Sequence, residues 1–351
     1  MKRQFFLFLF VVLPLFCSSA SAPAQNKPDS TSSIALYDGL DRMERLIAGA
    51  RREGELTLYT SIAASDISLI TGEFEKRYGV KVNVWRASND KVLQRAMAEQ
   101  TARRNEVDAV QIASLELEAL ARENVLQEVR SPIFASLIDG AVPKHHKWAA
   151  HYLNVWVQAY NTQKVRVDEL PKSYVDLLDP RWKGRLGIEA KNEEWFYTVV
   201  DGMGEADGLK FFRDLVATNG ISVRAGHSLL NNLVVSGEVP LALTVYNYMP
   251  AQAKAKGAPI DWFVIEPAIA RSNGIAVARQ SPHPHAANLF YEFVLSEDMQ
   301  SRMSKSGYVP THRNIESPLK NISIKLIDTE KAMNAGDKWS RTFDKIIKAV
   351  N

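Results

Sequence analysis

GELTLYTSIAASDISLITGEFEKRYGVKVNVWRAS, residues 54–88, switches between two hydrophobic periods. Leu56, Thr57 and Leu58 read as a strand ending near Tyr59, and Thr60–Ala64 as a small-residue turn. Ser65 is the expected N-cap of a helix running to Tyr78, with Leu69, Ile70 and Phe74 facing inward and Gly79 as the stop. Val80, Val82 and Val84 then alternate with Lys81, Asn83 and Trp85, the signature of a half-buried strand. Ser88 or Asn89 caps a second helix with Val92, Leu93, Ala96 and Met97 on one face. Ala109–Ile112 is a third strand, and Leu115–Arg122 a further helix. A β-α-β-α-β order implies a parallel sheet with right-handed crossovers. Ligands of such sheets sit beyond the carboxyl ends of the strands, near helix N-termini. Three segments are placed there: Thr60–Ser65, Arg86–Asn89 and Ala113–Ser114.

Outward from this unit, the apolar and aromatic run Trp148–Tyr160 predicts a long strand, or a pair, leaving the first lobe. A second α/β unit follows. It has a short helix at Ser173–Leu178, a strand at Leu186–Ile188 and a helix at Glu193–Met203. A helix N-capped by Asp207 runs to Ala217, and one N-capped by Ser228 ends at Gly237. Pro240–Val245 and Trp262–Ile265 are strands, and Gly274–Val277 returns to the first lobe. Helices at Pro284–Leu295 and Glu297–Ser304 follow. The predicted organisation is a signal peptide over 1–24 and a leader with an N-terminal helix over 25–53. The first lobe takes 54–152 plus 268–305, and the second takes 153–267 plus 306–351.

The first residues set the expected compartment. Lys2 and Arg3 precede the apolar run Phe5–Phe16, and small residues follow through Ala24, the three parts of a secretory signal. The apolar core is shorter than the ~20 residues a membrane-spanning helix needs. A periplasmic protein with the signal removed is expected. Cys17 is the one cysteine and lies within that segment, so the remainder has no thiol for a disulfide, a metal site or nucleophilic attack. The formal charge of +3 includes Lys2 and Arg3. That balance, without a basic block interleaved with aromatics, argues against nucleic acid as a partner. The chain has no Gly-x-Ser-x-Gly elbow, no His-Glu-x-x-His helix and no phosphate-cradling glycine loop, so no enzyme activity is expected.

Several stretches resemble the iron(III)-type, ferric-binding-protein-like branch of the periplasmic solute-binding proteins. They are GELTLYTS (54–61), FEKRYGVKVNVWRAS (74–88), YVDLLDPRWKGRLGI (174–188) and VVSGEVPLALTVYNY (234–248). The last is NGIAVARQSPHPHAANLFYEFVLSEDMQSRMSKSGYVPT (273–311). The resemblance spans the chain beyond the leader in the expected order. It implies a two-lobed α/β fold of the type II periplasmic-binding class, crossover strands acting as a hinge, a ligand in the cleft, and delivery by a monomer to the permease of an ABC importer. A periplasmic sensor input is the alternative partner role, and a secreted enzyme a more distant one.

The resemblance also implies a ligand set for ferric iron: a His in the first-strand loop, a Glu after the third strand, and two adjacent tyrosines. At those positions stand Ala63 with Ala64 beside it, Ala113 or Ser114, and the interrupted pair Tyr246-Asn247-Tyr248. The iron site is therefore not carried over intact. A small organic anion becomes the first expectation, with ferric iron or an iron chelate as the alternative cargo and no resident cofactor.

Candidate ligand contacts follow from placement. Tyr246 and Tyr248, two apart after a strand, either face the cleft or pack the surface between the lobes. Ser61, Ser88 and Ser114 sit at loop–helix junctions suited to an anion, or simply cap helices. Arg86 is either an anion clamp or a solvated strand end. Glu194 and Trp195 follow the strand that opens the second half of the cleft. His227 precedes a helix in a glycine-containing loop. If a metal binds, Tyr246, Tyr248, His227 and Glu194 are the expected donors. His145, His146, His283 and His285 are expected at the surface.

Overall fold

The computed structural model describes residues 30–348. The expected signal peptide and Cys17 lie outside the described residues. Among those described, no helix is long and apolar enough to cross a membrane.

Two short helices, α1 (Thr31–Ala35) and α2 (Arg42–Glu53), precede the first unit, which follows as anticipated. It comprises β1 (Glu55–Thr60), α3 (Ala64–Tyr78), β2 (Lys81–Arg86), α4 (Asn89–Thr101), β3 (Ala109–Ala113) and α5 (Ser114–Arg122). β1 pairs in parallel with both β2 and β3. Local readings shift by a residue or two. Ala63, not Ser65, is the N-cap of α3, and the buried stripe is Ile67, Ile70 and Phe74, spaced at one helical face. Leu69 points to solvent, as does Val84 at the sheet edge formed by β2.

The thirteen-residue strand β4 (Ala149–Asn161) is buried along its whole length. The second unit holds β5 (Leu186–Glu189), α6 (Glu193–Met203), α7 (Glu205–Asn219) and β6 (Ser222–Arg224). It continues through α8 (His227–Ser236), β7 (Leu241–Tyr246), α9 (Tyr248–Ala255) and β8 (Ile260–Phe263). β5 runs parallel to β6 and β7. The expected helix at 173–178 is a single 3-10 turn, Val175–Leu178. Gly204 and Gly226, rather than Asp207 and Ser228, are the N-caps of α7 and α8.

β9 (Ala268–Val277) returns, six residues longer at its start than anticipated. It pairs antiparallel with β4 over Ala149–Trp156 and with β3 over Ala109–Ala113. α10 (Pro284–Leu295) and α11 (Glu297–Lys305) close the first lobe. β10 (Val309–Pro310) pairs with β4, and β11 (Ile324–Leu326) with β9. The main strand order is β2-β1-β3-β9-β4-β7-β5-β6. β9 and β4 therefore join two parallel α/β halves, which gives the two-lobed periplasmic-binding architecture. Residues 306–351 were assigned to the second lobe. Their helix α12 (Thr329–Phe343) instead touches both halves: Thr329 bonds Ser114 of α5, while Trp339 packs on Phe196 and Tyr197 of α6.

Three of the histidines placed at the surface are partly buried and paired. His145 meets Glu118, His283 meets Asp108 and His285 meets Glu53, each at 2.7–2.9 Å. These pairs tie loops to the first-lobe core, a role with no signature in local spacing.

Candidate ligand-binding cleft

Between the lobes lies a cleft of about 720 Å³ lined by both halves and floored by the two crossover strands. Ser61, Arg86, Ser88 and Glu116 come from the first lobe. Glu194, His227, Tyr246 and Tyr248 come from the second, and Asn154, Arg271 and Asn273 from the floor. The carboxyl ends of β1, β2, β5 and β7 all point here, as the parallel topology requires.

The second-lobe wall is tightly built. Tyr246 ends β7 and Tyr248 begins α9, and their rings lie 6.1 Å apart at 22°. Alternation along a strand is not the cause, because Tyr248 is already helical. The strand-to-helix turn brings the rings together. The His227 ring covers Tyr246 at 4.0 Å, and Trp156 flanks it at 5.8 Å. Tyr248 stacks on Tyr308 at 4.1 Å, whose hydroxyl donates to Asp66. Burial raises the pKa of both cleft phenols, while Arg271 pulls that of Tyr246 back down. Both are neutral phenols at neutral pH.

His227 is held by its neighbours. Its Nδ1 lies 3.3 Å from the Thr244 carbonyl and its Nε2 lies 3.9 Å from Glu189. Burial pushes its pKa down to about 4, so it is uncharged at neutral pH. Glu189 in turn accepts from the backbone N–H groups of Gly226 and Lys191 and staples the two loops together. Gly226 has φ +103°, a conformation that side-chain-bearing residues rarely adopt. That turn delivers His227 to the ring of Tyr246.

Glu194 lines the cleft and is paired: Arg271 Nη1 donates to its Oε2 at 2.5 Å. Trp195 does not reach the cleft. It is buried against Tyr174 and Phe212, because the next residue on a helix points about 100° away. Ser114 is also displaced from ligand contact, buried under α12 with its hydroxyl bonded to Thr329. Arg86 and Ser88 line the first-lobe rim, with Arg86 Nε donating to the Ile62 carbonyl at 2.5 Å. Ser88 is the N-cap of α4 without a side-chain cap bond. Ser61 lines the same rim.

Two residues central to the cleft were not anticipated. Arg271 lies in the middle of β9. Glu116 sits in the first turn of α5, and its Oε2 is shut off from solvent without a hydrogen-bond partner. Desolvation raises its pKa to about 7, opposed by Arg271 and reinforced by Glu194. The resemblance pointed to a carboxylate at Ala113 or Ser114, and the structure puts one two to three residues later. Asn154 Oδ1, Glu194 Oε1 and Arg271 Nε are likewise buried without partners. A cluster of unsatisfied oxygens around one cavity is costly unless something fills it. No group of three or more His, Cys, Asp or Glu side chains suited to a metal occurs among the described residues. Oxygen donors here are a mixed set of phenols and carboxylates.

Comparison with known proteins bears on the family and the fold. Residues 117–333 match the family described as bacterial extracellular solute-binding protein. The chain is 25% identical over 290 residues to iron uptake protein A1 of Synechocystis, covering 75% of this chain and 79% of that one. It is 24% identical over 278 residues to the major ferric iron-binding protein of Neisseria meningitidis serogroup B, covering 74% and 81%. Iron-bound HitA from Pseudomonas aeruginosa superposes with a TM-score of 0.72 at 23% identity, covering 82% of this chain and 98% of that one. AfuA from Actinobacillus pleuropneumoniae with fructose-6-phosphate bound superposes at 0.74 and 20% identity, covering 85% and 99%. The structural likeness establishes the two-lobed fold.

Proposed function

The chain belongs to the bacterial extracellular solute-binding protein family, and from that premise we propose that it captures ferric iron between its lobes, outside the cytoplasm, and presents it as a monomer to the permease of an ABC importer. The observation that carries this reading is the meeting of Tyr246, Tyr248 and the unpartnered Glu116 in one cleft. Ferric iron is a hard ion that favours phenolate and carboxylate oxygen. On losing their protons these three groups supply three negative charges, which balance the ion without drawing on the Glu194–Arg271 pair. Iron uptake by relatives of similar length points the same way.

This reverses the order expected from sequence, which put a small organic anion first. That order rested on a first lobe without a side-chain ligand, and Glu116 supplies one. Arg86, Ser61 and Ser88 at the rim suit a small anion that completes the metal's shell. No chemical step is assigned to the protein, whose role is capture and release.

The test is to load purified protein with ferric citrate, remove the excess and record the visible spectrum. A stable coloured complex with one iron per chain is expected, from charge transfer between phenolate and metal. A colourless protein that retains an organic anion by mass spectrometry overturns the reading.

A further inference from the structure

Arg271 stands on β9, one of the two strands that run between the lobes, opposite Asn154 of β4. Its side chain is buried, with the ring of Trp156 5.4 Å and that of Tyr246 5.8 Å from the guanidinium carbon. Nη1 donates to Glu194 Oε2 and Nη2 to the Tyr246 hydroxyl oxygen, both at 2.5 Å. The two acceptors come from different elements, α6 and β7. One planar group with a fixed donor fork therefore sets the separation of a carboxylate and a phenol oxygen. Its Nε remains buried without a protein partner.

We propose that Arg271 is the positioning residue of this cleft: it clamps the oxygens of Glu194 and Tyr246 in one rigid plate and ties that plate to the hinge strand, so that ligand capture is transmitted to the strand that flexes on closure. This rests on the ferric reading. A permanent cation holds Glu194 Oε2 whatever occupies the cleft, so Glu194 serves as the anchor of the plate. The Tyr246 oxygen is thereby presented to the cavity with its ring already fixed by His227 and Trp156. Groups that orient a metal ligand contribute to affinity through geometry. A lysine, a compact point charge, cannot hold both acceptors in the same plane.

The experiment compares the wild type with Arg271→Lys, Arg271→Gln and the double variant Arg271→Gln/Glu194→Gln. The double variant removes the ion pair without leaving a buried lone carboxylate, so it keeps the question open if the single Gln variant fails to fold. Thermal melts establish folding. Ferric titration, the visible band and scattering are then read together. Affinity in the double variant is expected to fall about 10–100-fold, with a shifted charge-transfer band and a smaller loss of radius of gyration on loading. Arg271→Lys is expected to lie between it and the wild type. A folded double variant with wild-type affinity, band and compaction overturns the proposal while leaving the ferric reading intact. A wild type that takes up no iron removes the premise and the proposal with it.

Discussion

The two walls of the cleft are built on different plans. On the second-lobe side Tyr246 is fixed by His227, Trp156 and Arg271, and Tyr248 by Tyr308, so its oxygens are in place before any ligand arrives. On the first-lobe side the rim is made of short loops, with Ala63 where a longer side chain could reach and Arg86 Nε engaged by the Ile62 carbonyl. There Glu116 offers a carboxyl oxygen with nothing to bond to. A rigid wall binds first, and a sparse wall with one unsatisfied group gains most from closing on the ligand. On the proposed reading, affinity belongs to the second lobe and closure to the first, and the following variants test that division.

Replacing Tyr248 by Phe attacks the rigid wall and should have the largest effect. On the ferric reading it takes one oxygen from the metal's shell while keeping the ring stacked on Tyr308. Ferric affinity is expected to drop by about 4–5 kcal/mol, the upper part of the range for breaking a buried charge pair. Equilibrium dialysis against a competing chelator measures it. A loss of about 1 kcal/mol, that of one ordinary hydrogen bond, would mean the phenol never ligates the metal.

Glu116→Gln tests the sparse wall. We expect about 2 kcal/mol of lost affinity, at the low end of the same range, with the colour retained and the ligand-induced compaction reduced. The variant also isolates a pH effect. The Glu116 carboxyl holds its proton up to about pH 7, and a metal must displace that proton. Wild-type affinity should therefore rise with pH through about 7, and the variant should lack that step. The same raised pKa works against the empty protein. Between about 4.5 and 7 the folded state keeps a proton that the unfolded state has released, so this group lowers stability as pH rises across that window. Melting of the apo forms should find Glu116→Gln the more stable at neutral pH, with the gap closing below about pH 4.5.

The smallest effect is expected at the mouth, where Lys191 reaches Asp90 across the two lobes at 3.7 Å with both side chains well exposed. Lys191→Ala should cost less than about 1 kcal/mol of binding. It should appear as a faster ligand release at low ionic strength that merges with the wild type in salt. A larger, salt-independent change would show that closure is governed by the rim instead of by Glu116.

The division between the legible and the hidden parts of the site does not follow the two walls: Ser61, Arg86 and Ser88 of the first lobe line the cleft as well. Tyr246, Tyr248, His227 and Glu194 line one cleft because they flank strand ends and helix starts, which parallel topology sends to one place. Trp195 and Ser114 were misplaced because being next to a site in sequence says little about facing it. A step of one helical residue turns Trp195 into the core, and α12, which no nearby motif announces, covers Ser114. Glu116 was missed for the converse reason: the ligand position was sought at the strand end, while the first turn of α5 carries its carboxylate back over the cleft. Arg271 did leave a trace. A charged residue two before Asn273, inside a strand buried from end to end, had to have a polar partner within the protein.

Periodicity and small-residue turns were enough to indicate two α/β halves and one long apolar strand leaving the first, because alternation and helical spacing are local properties of the chain. They also confined the ligand to the strand ends. Which side chains meet there, and in what state of charge, was decided only when residues far apart in the chain were packed together. Arg271 reaches Glu194 and Tyr246 across 77 and 25 residues. The pKa of Glu116 is set by burial and by charges on three other elements, Arg271 of β9, Glu194 of α6 and Asp90 of α4. Desolvation and paired charge are properties of a three-dimensional neighbourhood, and no stretch of sequence contains one.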